Sequence, residues 1–177
     1  MSKKQLLIIP LLFITGRLCA QQSHHVTDKE PAVINGLHVG YNIKSHEVKA
    51  VGDKGDFSRY AVRFYATNTT SEPKIILYKE GLGHYTYGAD HLVQFNCLNA
   101  TGARLTSKSA TILAPPCDVT AMVDDKECGT NKVVRNKRKV QIGYWIKPGQ
   151  TLSTDVILIV PLNEQPNVEA VYLGNAN

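Results

Sequence analysis

Residues 58–68 read SRYAVRFYATN. Tyr60, Val62, Phe64 and Ala66 occupy every second position, with Arg59, Arg63 and Thr67 on the alternate ones. Successive strand side chains point to opposite faces, whereas a helix would scatter these four apolar groups around its axis. The stretch is therefore expected to be a strand that covers a core with one face and meets water with the other.

The same period runs outward in both directions. Strands are expected near 37–48, 74–78, 91–98, 107–113, 140–146, 154–160 and 168–173, with Gly, Pro, Asn and Ser clusters between them. Ala114, Pro115 and Pro116 are expected to stop the strand before them, because a proline offers no N–H to a ladder. Val156 to Val160 is unbroken apolar sequence, which reads as a central strand or as one covered on both faces. No stretch longer than about ten residues carries the helical period. The expected fold is all-β: an antiparallel β-sandwich of eight or nine strands with little helix.

Three segments in order, YATNTTSEP (65–73), LVQFNCLNATGARL (92–105) and YWIKPGQTLSTDVILIVP (144–161), carry a likeness. An Asn-containing turn follows a core strand, and a Pro-Gly turn introduces a late strand ending in Val-Pro. The chain from about residue 59 to 161 resembles the immunoglobulin-like sandwiches of secreted bacterial proteins, including the mycobacterial MPT63-type antigens. The resemblance implies an immunoglobulin-like fold. Such sandwiches serve unrelated roles, so it brings no functional residue with it.

The first twenty residues are expected to be a cleavable export signal. Lys3 and Lys4 precede an apolar run from Leu6 to Ile14, and small residues end at Ala20. The run is nine residues long and contains Pro10, far short of the ~20 apolar residues that cross a bilayer. Cleavage is placed after Ala20, and the alternative is lipidation at Cys19, which Leu18 beside it disfavours. The double-lysine start reads as bacterial, which places the mature chain in the periplasm or outside the cell. Residues 21–31, QQSHHVTDKEP, lack periodicity and are expected to be a flexible tail before one domain over 32–177.

Loss of the signal removes Lys3, Lys4 and Arg17 and no acidic residue, so 20 basic against 15 acidic residues becomes 17 against 15. So small an excess argues against nucleic acid or an anionic membrane as the global partner. Of the cysteines that remain, Cys97 alternates in phase with Val93 and Phe95 and reads as a core residue. Cys117 and Cys128 flank a polar stretch and are the expected disulfide pair in an oxidising compartment.

Candidate sites fall in two places. The segment EGLGHYTYGADHLV (80–93) gathers His84, Tyr85, Tyr87, Asp90 and His91 among three glycines. Tyr85 and Tyr87 share one side of an extended segment and, with Trp145, offer flat amphipathic faces to a sugar or a protein. His84, Asp90 and His91 carry the alternative of a zinc or copper site, although their spacing matches no compact ligand motif. The second place is 118–139, where Asp118, Asp124, Asp125 and Glu127 precede Lys132, Arg135, Lys137, Arg138 and Lys139. A hairpin whose limbs neutralise each other is expected there, and anion binding by Arg135, Lys137 and Arg138 is the alternative.

No nucleophile elbow, zinc-protease helix motif, phosphate loop or dinucleotide fingerprint occurs, so no catalytic residue and no cofactor is assigned. The sequence thus points to an exported, non-catalytic module that binds a protein or glycan partner, with a small metal-binding protein as the alternative.

Overall fold

The computed structural model describes residues 22–50, 56–77, 88–98, 104–126, 129 and 133–174. Eleven strands are described: β1 (Ser23–Val26), β2 (Ala32–Ile34), β3 (Leu37–Ala50), β4 (Asp56–Asn68), β5 (Lys74–Leu77), β6 (His91–Leu98), β7 (Arg104–Leu113), β8 (Pro116–Lys126), β9 (Val133–Ile146), β10 (Thr151–Pro161) and β11 (Asn167–Tyr172). They form three antiparallel sheets, ordered β1-β11-β6-β7, β10-β4-β3-β2 and β5-β9-β8.

The first two sheets stack as a β-sandwich. Tyr60, Val62, Phe64 and Ala66 of β4 all point inward, as their spacing requires, and face Val93, Phe95 and Cys97 of β6 with Val168 and Ala170 of β11. Phe64 and Phe95 stack across the sandwich with centroids 4.3 Å apart, and Tyr41 meets Phe64 edge-on. Burying such rings contributes both apolar area and quadrupole attraction. On the outer face Arg63 grips Asp155, Arg59 pairs with Glu47, and the Thr67 and Thr151 hydroxyls meet at 2.8 Å. The third sheet joins the same core through Ile76, Tyr144 and Ile146.

Asn68 fastens this junction. Its side chain is fully buried, and Nδ2 donates to the carbonyls of Glu72 and Ile146 while Oδ1 accepts from the Thr70 amide and hydroxyl. Its own N–H reaches Gln150 O and its carbonyl receives Gly149 N–H. One side chain thus ties the end of β4 to the start of β5, the end of β9 and the Pro148-Gly149 turn. Gly149 adopts φ 69°, the left-handed conformation that a type II turn asks of the residue after proline.

Several expectations are corrected. Part of the stretch expected as a flexible tail, Ser23–Val26, is β1: it pairs with β11 and buries Val26. The strand over 154–160 is not central, because β10 lies at the edge of its sheet beside β4. Its apolar run serves two surfaces: Leu158 and Val160 enter the core, while Ile159 is 43% exposed on the outer face. β7 does end at Leu113, before Ala114, Pro115 and Pro116, as expected. Pro116 opens β8, an edge strand on which a missing donor costs no ladder bond.

The disulfide expectation fails for the same reason. Cys117 is a buried free thiol that pairs with Gly143 at the root of β8. The strand continues to Lys126, so its far end lies roughly 30 Å away at ~3.4 Å per residue. Cys128 lies outside the described residues.

Candidate functional site

The polar stretch 118–139 builds the most distinctive feature of the molecule. β8 and β9 form a hairpin in which Asp118–Lys126 pair in register with Val133–Gln141, nine rungs in all. Among the described residues, β5 accompanies β9 from Gly143 to Ile146. Among the described residues, β9 is the one strand with which β8 has extensive contact. Beyond Gly143 the pair forms, among the described residues, a two-stranded arm roughly 30 Å long.

The arm is rooted at Gly143. A Cβ there would lie 2.0 Å from the carbonyl oxygen of Ile76, and φ is 157°. Only glycine lets β5 and β9 approach this closely, and a β-bulge at the neighbouring Cys117/Asp118 step re-aims the outer part of the hairpin. Burial and the adjacent Asp118 carboxylate raise the Cys117 thiol pKa, which keeps it unreactive.

The two limbs carry opposite charge and satisfy each other. Arg135 Nε donates to Asp124 at 2.8 Å, Arg138 Nη2 lies 2.7 Å from Asp125, and Lys139 Nζ lies 3.0 Å from Asp118. Asn136 adds a bond to Asp125. This is the self-neutralising hairpin expected from the sequence. Lys137, opposite Met122, has no ion pair among the described residues. The pairs are exposed, so each contributes at most about 1 kcal/mol.

The apolar residues of the arm are what the sequence reading overlooked. Met122 is 61% and Val133 54% exposed on one face, and Val119 is 38% exposed on the other. The alternation of Val119, Ala121 and Val123 in β8 was the available signal, but it was masked by the surrounding charges.

The other candidates among the described residues do not converge on the arm. Trp145 points away from the core side of β9, opposite Tyr144 and Ile146. It pairs with Ile75 of β5, and the Lys147 ammonium lies 4.9 Å from its ring centroid. Ten residues of strand separate it from Arg135, about 30 Å, so the two belong to different surfaces. Asp90 and His91 sit at the start of β6 with Oδ1 and Nε2 4.0 Å apart, and no third His, Cys, Asp or Glu among the described residues completes a metal cluster. His84, Tyr85 and Tyr87 lie outside the described residues.

The outer face of the second sheet holds a shallow groove lined by Lys44, Asp155, Ala61 and Ile157. Its charges are committed to each other: Asp155 accepts from Lys44 at 2.6 Å and from two Arg63 nitrogens at 2.8 and 2.9 Å. No protein-family model, curated protein or solved structure matches the chain, so the likeness to MPT63-type antigens gains no support from relatives.

Proposed function

We propose that this chain is an exported, non-catalytic binding module, a sandwich of immunoglobulin-like type that engages a macromolecular partner through the β8–β9 arm. The observation that carries the reading is a hairpin of nine rungs, beyond β5 without extensive contact to another described strand, that holds Met122 and Val133 mostly in water. A two-stranded hairpin is marginal by itself. Holding exposed methionine and valine on one adds nothing to the stability of the monomer, whereas a partner that covers them removes apolar area from water. Export rests on the basic, apolar and small zones of residues 1–20.

The register supplies a clean test. Residues 121–138 can be excised and Thr120 rejoined to Lys139, its cross-strand partner, through an Asn-Gly turn. The shortened protein is expected to melt within a few degrees of wild type and to lose the capture of partners that wild type shows in extracts of its own cells. Undiminished capture by the shortened protein rules out the arm as the binding element.

A further inference from the structure

We propose that the outer face of the β10-β4-β3-β2 sheet is a saccharide site, in which Tyr65 is the stacking platform and Arg63 receives the carboxylate of a uronic acid. The site lies on the sandwich itself and does not depend on the arm.

Tyr65 stands on one rung of the sheet between Gly40 of β3 and Ser153 of β10. Its ring is laid along the sheet. A Cβ at Gly40 would lie 2.7 Å from the phenol oxygen, 3.0 Å from Cζ of the same ring and 3.2 Å from Cβ of Pro31. The tip of the phenol therefore crosses β3 at the position where glycine offers no side chain, close to Pro31. One side of the ring is taken up by that contact, and the half-buried residue meets solvent with the other. A tyrosine held this way presents an apolar surface edged by a hydroxyl. The C–H face of a pyranose, rimmed by its own hydroxyls, is the matching surface.

The groups around the platform are those that bind a sugar. The next rung on one side carries Asp155, Arg63 and Asn42, and the next on the other carries Thr151, Thr67 and His38. Asn42, His38 and Ser153 are exposed, and their side chains have no hydrogen-bond partner among the described residues. They supply an amide, an imidazole and a hydroxyl at the rim of the ring.

Charge selects an acidic sugar. Lys44, Lys49, Arg59 and Arg63 outnumber Glu47 and Asp155 on this face. Arg63 is oriented by its ion pair and keeps donors: Asp155 takes Nε at 2.8 Å and Nη2 at 2.9 Å, which leaves Nη1. Lys44, 2.6 Å from the same carboxylate, keeps two of its N–H groups. Arg63 is two residues from Tyr65 along β4, about 7 Å, so a sugar ring on the phenol can turn its carboxylate toward the guanidinium. Beyond Arg63 the face continues as the shallow groove lined by Lys44, Ala61 and Ile157, where the next sugar of a chain would lie.

The test uses the full mature protein with tetragalacturonate, the neutral cellotetraose and a single-stranded hexathymidylate, read by calorimetry and by amide NMR titration. Tetragalacturonate is expected to shift the amides of 40–42, 63–65 and 153–155. It is expected to bind at least about fivefold more tightly than cellotetraose at low salt, with the gap closing as salt rises. Tyr65→Leu still covers Gly40 but removes the flat ring, and is expected to weaken binding at least about fivefold, whereas Tyr65→Phe stays within about twofold. Asn42→Ala, at an exposed position, is expected to weaken binding about threefold and leave the melting temperature unchanged. Absence of shifts on this face, or shifts confined to the arm cations at 135–139, overturns the proposal. So does wild-type affinity in folded Tyr65→Leu, or tighter binding of hexathymidylate than of tetragalacturonate. Should Tyr65→Leu fail to fold, wild-type affinity in Asn42→Ala overturns it instead. None of these results touches the arm, whose role in capture is read separately from the shortened protein.

Discussion

Asn68 shows how much one residue can hold. It is fully buried with every polar atom used, and it spans three elements. Asn68→Ala would strand the carbonyls of Glu72 and Ile146, and the expected cost is roughly 2–4 kcal/mol in a urea melt. The sequence placed an Asn-containing turn after this core strand, but Asn68 closes the strand itself and the partners of its amide lie up to 78 residues away, where no local pattern reveals them. Asp155 makes the complementary point about pH. Hydrogen bonds from Arg63 and then Lys44 hold its carboxyl well below the usual carboxylate range. The folded pKa thus lies beneath the unfolded one, so the pair contributes above about pH 4 and that contribution is lost as the pH falls further. Asp155→Asn is expected to flatten the loss of stability in this acid range, and high salt to shrink the difference because the groups are exposed.

At the scale of elements, legibility followed the core. β3, β4, β6 and β11 were readable because each places an unbroken alternation of large apolar groups against one interior. β2 was missed although Asn35-Gly36, with φ of 49° and 76°, forms the two-residue turn that marks a hairpin. Three residues are too few to show a period. β8 was legible only as the acidic limb of a hairpin, because its apolar alternation is short and charge pairing across the rungs replaces burial as the organising force. Its root is a backbone contact, which side-chain patterns cannot show. Gly143→Ala is expected to destabilise by roughly 2–4 kcal/mol, since the methyl would overlap the Ile76 carbonyl. Calorimetry checks this, and a neutral result would deny the tight β5–β9 approach.

At the scale of the whole molecule, the chain divides into a sandwich that supplies stability and an arm proposed to supply contact. The sandwich buries its rings across two sheets, whereas, among the described residues, the distal arm buries little beyond its own two strands. Local stability should follow that division, because regions with few buried contacts open without global unfolding. The most direct measurement is native-state hydrogen exchange resolved by residue. Amides of Val62, Phe64, Phe95 and Cys97 are predicted to exchange only through global unfolding, and those of 120–125 and 134–139 at least about a hundredfold faster. Equal protection along the arm and the sandwich would contradict the account, since it would mean that the hairpin is packed into the body rather than held out from it.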